Sequence, residues 1–219
     1  LGEPVIRAAV SRAMKEMGHQ FVLGENIVRA KDRASDMEKL GFTYSFDMLG
    51  EAARTESDAQ QYHLSYSRAI SSIAENCSGT DPKLNPGISV KLSALHPRYE
   101  VAQRQRLVAE LILRVRSLAL IAKSAGQGLN IDAEEADRLS LSLDIFAALA
   151  TDPSLDHWDG LGIVVQAYSQ RASFVLDWLY ELAGQTKRRL MVRLVKGAYS
   201  DTEIKRAQAL GLSGFPVFT

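Results

Sequence analysis

The chain has 219 residues, and its 26 basic side chains are balanced by 26 acidic ones. Zero net charge excludes the basic footprint of a nucleic-acid-binding domain, and a single cysteine, Cys77, excludes an internal disulfide and a multi-cysteine zinc cluster. No apolar run approaches the roughly 20 residues that span a bilayer, and charged residues interrupt the N-terminus where a signal peptide would be apolar. The composition therefore predicts a globular, cytoplasmic protein with one domain-sized core.

Helices are predicted at the start of the chain. Pro4 is typical of a first helical turn, and apolar residues recur at helical spacing as far as Phe21. A second helix is predicted over about 26–40, because Gly41 is a common C-terminal cap. Residues 1–41 are therefore predicted to form a helical arm, and residues 42–219 a β/α domain.

From residue 42 onward, short apolar runs alternate with longer amphipathic stretches. The runs, predicted as strands, are residues 42–49, 87–92, 128–133, 160–167 and 189–195. The stretches, predicted as helices, are residues 56–76, 100–124, 134–149, 171–184 and 201–210. Thr55 and Asp58 form a capping box at the first of these helices. Strands that alternate with helices predict βαβ units and a parallel sheet, hence the α/β class.

An open dinucleotide-binding sheet and a barrel both fit this alternation. The glycine fingerprint of the open fold is missing, since Gly160 and Gly162 precede their strand and Val165 stands where the third glycine belongs. The average spacing of about 37 residues between strand starts is that of a (β/α)₈ barrel. The sequence therefore favours a TIM-like barrel of which this chain holds the first five β/α units, with an open sheet as the alternative.

Each predicted strand ends in a polar side chain, which is unusual for strands that are buried on both faces. These residues are Asp47, Lys91, Asp132, Gln166 and Arg193, with Lys196 just beyond the last. In barrels the active site forms at the carboxyl ends of the strands. The pattern favours a site at this rim. The alternative is a structural ring of ion pairs in which Lys91 and Arg193 face Asp47 and Asp132.

Other segments give weaker signals for chemistry. Residues 193–199 (RLVKGAY) combine cations, a glycine and a tyrosine, which suits an anionic or planar ligand. Glu134 and Glu135 fit either a metal site or the first turn of a helix. The four histidines share no metal-ligand spacing, so no metal site is predicted.

Several long motifs occur in the order in which they are found in one family. They are GEPVIR (2–7), YSFDMLGEA (44–52), KLSALHPRY (91–99), NIDAEEADRL (130–139), VVQAY (164–168) and RLVKGAY (193–199). Together they resemble the proline dehydrogenase domain of the bifunctional proline utilization flavoenzymes (PutA). The resemblance implies a distorted (β/α)₈ barrel that binds FAD without covalent attachment. It also implies oxidation of L-proline to Δ1-pyrroline-5-carboxylate by hydride transfer from C5 to flavin N5. Electrons would pass on to membrane quinone, and an aldehyde dehydrogenase domain in the same enzyme would complete the path from proline to glutamate.

The resemblance also implies roles for single residues. Lys91 and Asp132 fall at family positions near proline and the reacting face of the flavin, and Asp47 at one that orients the Lys91 ammonium. Arg193 matches the position that hydrogen-bonds around flavin N5, and Tyr199 matches a wall of the proline pocket. Cofactor contacts are implied at Asp132, Ala133, Gln166, Arg193, Val195, Lys196, Gly197, Ala198 and Tyr199.

The chain departs from the family pattern in two ways. The family's Tyr-x-x-Arg-Arg-x-Glu motif, whose arginines clamp the proline carboxylate, does not occur in this sequence. The chain alone is therefore expected to bind neither proline nor FAD well. Ser200 stands where the family usually has tryptophan, so the wall of the cofactor site is expected to differ there.

Two further hypotheses are open at this stage. A Schiff-base aldolase barrel would form an imine at Lys91 or Lys196, and a partial barrel without activity would serve as an interaction module. An incomplete barrel leaves sheet edges uncovered, which predicts pairing between copies of the chain. Delivery of electrons to quinone implies peripheral membrane association, although no amphipathic anchor is visible in this segment.

Overall fold

The computed structural model of the chain describes residues 2–218, apart from the side chain of His19. The described residues divide into two compact units between Tyr44 and Ser45. Leu1, the first residue of the predicted arm, and Thr219, the last residue of the predicted β/α domain, lie outside the described residues. The assignment of residues 1–41 and 42–219 as functional domains stays a prediction.

The first unit contains helices α1 (Glu3–Phe21) and α2 (Ile27–Glu38). Pro4 lies in the first turn of α1, where a missing N–H breaks no helical hydrogen bond. The side chain of Asn26 accepts a hydrogen bond from Arg29 N (3.0 Å) and caps α2. Both helices therefore lie where the periodicity predicts them.

The second unit alternates strands with helices. Its strands are β1 (Ser45–Asp47), β2 (Gly87–Val90), β3 (Leu129–Ile131), β4 (Leu161–Gln166) and β5 (Met191–Val195). Its helices are α3 (Glu56–Ala74), α4 (Leu92–Leu95), α5 (Arg104–Ser124), α6 (Leu139–Ala150), α7 (Ala172–Thr186) and α8 (Ser200–Ala209). The strands are shorter than the apolar runs that predict them, and the capping box at α3 is present. Helix α4 was not predicted, because one turn is too short to show a helical period.

Neighbouring strands pair in parallel, and their order within the described sheet, β1-β2-β3-β4-β5, follows the chain. A doubly wound sheet reverses its strand order at a switch point, whereas a barrel adds each strand beside the one before it. The order confirms the α/β class and a partial TIM-like barrel, and it excludes the doubly wound alternative.

The two faces of the sheet differ in character. Outward-facing residues such as Ile88, Val90 and Ile131 are fully buried apolar side chains. The residues between them point to the inner face, where Ser89, Asn130 and Gly162 face one another in register. A Cβ at position 162 would lie 2.1 Å from Asn130 Oδ1, so a larger residue there would displace the Asn130 side chain. The inner face thus carries small or polar side chains, and the charged residues lie on the same face at the carboxyl ends of the strands.

Helix α5 is the longest in the β/α unit, and it packs against α3 and α6. Its buried face consists of Leu107, Leu111, Val115, Leu118, Ala119 and Ala122. Its other positions carry charged residues, among them Glu110 and Arg114, and also apolar ones such as the exposed Leu113. Across the described residues, no helix is both long enough and apolar enough to cross a membrane.

Candidate active site

Side chains of opposite charge meet at the carboxyl end of the sheet. Lys91 Nζ lies 2.6 Å from Asp47 Oδ1 and 3.1 Å from Asp132 Oδ2. The other carboxylate oxygen of Asp132, Oδ1, accepts a hydrogen bond from Arg193 Nη2 at 2.6 Å. The same Nη2 is 3.2 Å from Ser89 Oγ. The structure thus brings together the predicted residues Asp47, Lys91, Asp132 and Arg193 as one charged row, in which Asp132 bridges two cations.

The strands explain why these side chains meet. Lys91 directly follows β2, and Asp132 directly follows β3, where Asp132 N donates to Val90 O (2.9 Å) and extends the pairing of the two strands. Arg193 lies within β5, opposite Val164. Because side chains alternate between faces, all three charges share the inner face with Ser89.

Exposure varies along the charged row. The Asp132 side chain is only 10% exposed and that of Lys91 14%, whereas those of Asp47 and Arg193 are 48% and 43% exposed. Burial raises the pKa of Asp132, since the nearby charge of Lys91 offsets the loss of hydration only in part. The centre of the row is therefore shielded from water, while Arg193 keeps a surface on which a ligand can lie.

The environment of Lys91 decides which chemistry it can perform. Burial by itself would lower the pKa of the Lys91 ammonium, but the hydrogen bond from Lys91 to Asp47 and the charge of Asp132 outweigh it and raise that pKa. An imine-forming lysine needs a neutral amine and hence a lowered pKa. The geometry therefore speaks against the aldolase hypothesis at Lys91.

Tyr66, on α3, binds the backbone of Lys91. Its hydroxyl accepts a hydrogen bond from Lys91 N (3.2 Å), and the residue is 1% exposed. Burial raises the pKa of Tyr66 to about 12. This contact has no local signal in the sequence, because 25 residues separate the partners.

The titration of Tyr66 can be measured by comparing the wild type with a variant that lacks its hydroxyl. The difference in tyrosinate absorbance between the wild type and Tyr66→Phe is expected to rise with a midpoint near pH 12. In the unfolded chain a tyrosine ionises at about pH 10. The neutral phenol of Tyr66 therefore stabilises the fold fully below about pH 10, and this contribution to the free energy of unfolding is lost as the pH rises from about 10 to the folded pKa of about 12. A midpoint near the unfolded value, with the circular dichroism of the fold intact, would contradict this assignment.

Gln166, at the end of β4, is held at both ends of its amide. Its Nε2 donates to Glu134 O (2.9 Å), and its Oε1 accepts from Ala198 N (3.2 Å). It therefore links the loop after β3 to the loop after β5. In this arrangement the amide holds protein backbone, and the flavin contact implied for Gln166 stays a prediction.

The loop after β5 turns at Gly197, whose φ is +105°. A Cβ at this position would lie 2.2 Å from Cδ1 of Tyr168 and 3.0 Å from Cβ of Gln166. Backbone hydrogen bonds from Ala167 N to Val195 O (2.7 Å) and from Tyr168 N to Lys196 O (3.0 Å) hold the same loop against β4. Glycine is thus required both by conformation and by close approach.

The substitution Gly197→Ala is expected to destabilise the fold by about 2 kcal/mol, because the added methyl group is strained and meets the Tyr168 ring. Gly184→Ala is the matched control, since nothing lies within 4 Å of a Cβ at that helical position. The control should be neutral or stabilising by up to about 1 kcal/mol. Urea denaturation of the two variants measures both values, and equal effects would contradict the assignment.

Tyr199 is the N-cap residue of α8, the last helix of the described residues. Burial raises the pKa of Tyr199, and the charges of Glu51 and Lys91 also act on it, so it lies near the charged row. Ser200, the position where the family usually has tryptophan, is half-buried as the first residue of α8. Beside Tyr199, Lys196 and Ala198 are exposed, while Ala133 and Val195 are half-buried.

Glu134 and Glu135, in the loop after β3, both bind groups of the protein itself. Glu134 Oε1 accepts from Ser93 N and its Oε2 lies 3.0 Å from Arg138 Nη1, which is also 3.0 Å from Glu135 Oε2. Burial raises the pKa of Glu134. Within residues 2–218, no group of three or more potential metal ligands is assembled. Sequence reasoning missed the buried role of Glu134 and the contacts of Ser89 and Ser93, although Ser89 stands two positions before Lys91 on the same face.

The amino-acid sequence of the chain is similar to one family of known proteins. The family model described as proline dehydrogenase matches residues 30–219. The bifunctional protein PutA of Klebsiella aerogenes is 55% identical over the whole chain, and that of Escherichia coli (strain K12) is 54% identical. Proline dehydrogenase 1 of Bacillus subtilis (strain 168) is 28% identical over 84% of this chain and 53% of its own length. The chain spans only 16–17% of the length of the PutA relatives.

Solved structures give the same picture. A crystal structure of a Bradyrhizobium japonicum PutA variant matches with a TM-score of 0.85 and 53% identity, over 100% of this chain and 22% of that one. PutA from Bdellovibrio bacteriovorus, described as inactivated by N-propargylglycine, matches with a TM-score of 0.89 and 27% identity, over 98% of this chain and 24% of that one. The half-barrel fold is therefore part of an architecture that is seen in much longer proteins.

Proposed function

Because the chain belongs to the proline dehydrogenase family, we propose that it forms the part of an FAD-dependent enzyme that oxidises L-proline to Δ1-pyrroline-5-carboxylate. The observation that supports this best is the charged row, in which Asp132 fixes a lysine and an arginine at the rim of a barrel sheet. Such a pair of fixed cations suits a cofactor and a substrate that both carry negative charge.

The side chains at the rim fit FAD. Arg193 keeps 43% of its side chain exposed although Asp132 and Ser89 hold one of its nitrogens. Residues proposed to hold the cofactor are Asp132, Ala133, Gln166, Arg193, Val195, Lys196, Gly197, Ala198 and Tyr199. When bound, FAD would supply a hydride acceptor at N5 and pass the electrons on to a quinone.

The protein contributes orientation and charge. Arg193 donates hydrogen bonds toward the position where negative charge develops during the reaction, and Asp132 prevents it from turning away. Lys91 keeps its proton, because Asp47 and Asp132 stabilise the ammonium, and it therefore acts as a fixed charge and not as a base. Tyr199 forms an apolar wall for the proline ring. No protein nucleophile is required.

The bifunctional relatives support a wider setting for the reaction. We place the chain in an enzyme whose second activity, an aldehyde dehydrogenase, carries the product on to glutamate. Delivery of electrons to membrane quinone calls for peripheral association of this cytoplasmic enzyme with the membrane. The edges of the sheet at β1 and β5 are proposed pairing surfaces, within the full enzyme or between its copies.

An anaerobic visible spectrum of the protein at its natural length tests the proposed reaction. We expect an oxidised-flavin spectrum that is bleached by L-proline and not by D-proline, because the site must orient one stereoisomer. A colourless protein that added FAD cannot reconstitute would overturn the proposal. Borohydride trapping of a substrate on Lys91 or Lys196 would then favour the aldolase hypothesis.

A further inference from the structure

Ser93, in α4, joins loops that follow three successive strands. Its backbone N–H donates to Glu134 Oε1 (3.0 Å) in the loop after β3. Its hydroxyl accepts from Ala52 N (3.1 Å), and its carbonyl accepts from Ala53 N (2.9 Å), both in the loop after β1. The residue is 2% exposed, so water cannot readily replace a lost partner. We refer to these three hydrogen bonds as the Ser93 clamp.

The loop that the clamp holds, residues 48–55, is strained. Ala52 has a φ of +56°, a left-handed conformation that residues other than glycine adopt only when their surroundings impose it. Ser93 binds the amide of Ala52 and that of the next residue, which accounts for the imposed conformation. Gly50, at φ +125°, also lies close to Tyr62, since a Cβ there would be 2.6 Å from the Tyr62 ring.

The clamp and the charged row involve the same strand ends and the loops that follow them. The loops that it joins follow Asp47, Lys91 and Asp132, and Ser93 and Glu134 each stand two positions beyond a charged residue of the row. Asp47 is the most exposed member, and its Oδ1 is 2.6 Å from Lys91 Nζ. Since Asp47 ends a strand of only three residues, the following loop decides how firmly that carboxylate is held.

We propose that Ser93 is a positioning residue: it holds the loop of residues 48–55 against the rim and thereby keeps the Asp47 carboxylate on the Lys91 ammonium. Its effect on catalysis rests on the function proposed above, whereas its effect on the loop and on Lys91 does not. The two parts can therefore be tested separately.

Substitution Ser93→Ala, in the protein at its natural length and without added cofactor, tests the structural part. Deuterium uptake by residues 48–55 is expected to become faster by about fivefold, because Ala52 N loses its acceptor. Acetylation of Lys91, followed by mass spectrometry, is expected to become faster by about twofold or more as Asp47 moves away. Unchanged uptake, or faster uptake with unchanged acetylation of Lys91, would overturn the proposal.

Kinetics test the catalytic part. In Ser93→Ala, kcat for proline oxidation is expected to fall by about tenfold with KM within about twofold, because Lys91 is misplaced in the reacting state. Adding Ala52→Gly should restore about half of the lost loop protection and kcat, since glycine adopts the same φ without strain. A rise in KM alone, or no recovery in the double variant, contradicts the proposed role.

Ile145→Val provides the control for a general loss of stability. Ile145 is fully buried on α6 and is not part of the Ser93 clamp or the loop of residues 48–55. Its truncation lowers the melting temperature but should leave deuterium uptake by that loop, acetylation of Lys91 and kcat within about twofold of the wild type. Matching changes in this control and Ser93→Ala would show that the clamp serves stability alone. A wild-type protein that does not oxidise proline would refute the proposed function, while uptake and acetylation would still decide the clamp.

Discussion

Replacement of Arg193 by lysine is expected to lower kcat for proline oxidation by about 100-fold to 1,000-fold, the range found when a preorganised donor is removed from a site of developing charge. The arginine fork bonds Asp132 Oδ1 at 2.6 Å and Ser89 Oγ at 3.2 Å and still presents an exposed surface. Both bonds come from Nη2, so the other nitrogens of the guanidinium stay available to a ligand, whereas a lysine at this position has a single nitrogen and cannot hold Asp132 and reach a ligand with a second one. Steady-state kinetics and the visible spectrum of the flavin measure the loss.

Arg189→Lys is the matched control for this prediction. Arg189 precedes β5, its side chain is 80% exposed, and its nearest acidic partner, Asp159, is 4.0 Å away. Exposed pairs of this kind contribute little, so kcat and the flavin spectrum should stay within about twofold of the wild type. If Arg193→Lys behaved like this control, the proposed role of Arg193 would be wrong.

Replacement of Asp132 by alanine is expected to cost both stability and activity. Asp132 is the shielded bridge of the charged row, and its removal leaves Arg193 without its carboxylate partner and Lys91 with Asp47 alone. Removing one partner of a buried ion pair destabilises by about 3 kcal/mol or more. We expect a comparable fall in the free energy of unfolding, measured with urea, and a loss in kcat of about 100-fold.

Asp137→Ala removes a carboxylate from the same loop without touching the row. Asp137 pairs with Arg206 at 2.7 Å, but both side chains are about half exposed. Its loss should change the free energy of unfolding by no more than about 0.5 kcal/mol and leave kcat unaltered. If the two aspartate variants had equal stability, Asp132 would have to be regarded as an ordinary surface charge.

The charged row could be predicted because the signal is local. Lys91 and Asp132 each follow a short buried strand directly, and parallel strands bring their carboxyl ends to one edge. The same local patterns located the helices, since apolar periodicity persists over many residues. Strand lengths were overestimated: residues 42–49 were predicted as a strand, whereas β1 spans Ser45–Asp47, because Phe42 and Leu49 are apolar but exposed.

The contacts that hold the row could not be predicted in this way. Ser93 meets Ala52 and Glu134 across 41 residues in each direction, and Gln166 reaches Ala198 across 32. Such pairings depend on the three-dimensional arrangement of loops and leave no mark in local composition. The acidic pair at 134–135 illustrates the difference, since its sequence is compatible with a metal site, whereas burial and Ser93 give Glu134 a structural partner.

The strand order of the described sheet bears on how the protein is made. Each strand pairs with the one that precedes it in the chain, so a β/α unit that leaves the ribosome finds its template already in place. The sheet can therefore grow in the order of synthesis, without waiting for distant segments to close long loops. The same order means that Arg193, on the last described strand, is the final member to join the charged row. Asp132 and Lys91 can pair as soon as β3 docks on β2, and the cation proposed to face the flavin arrives last, at a carboxylate that is already fixed.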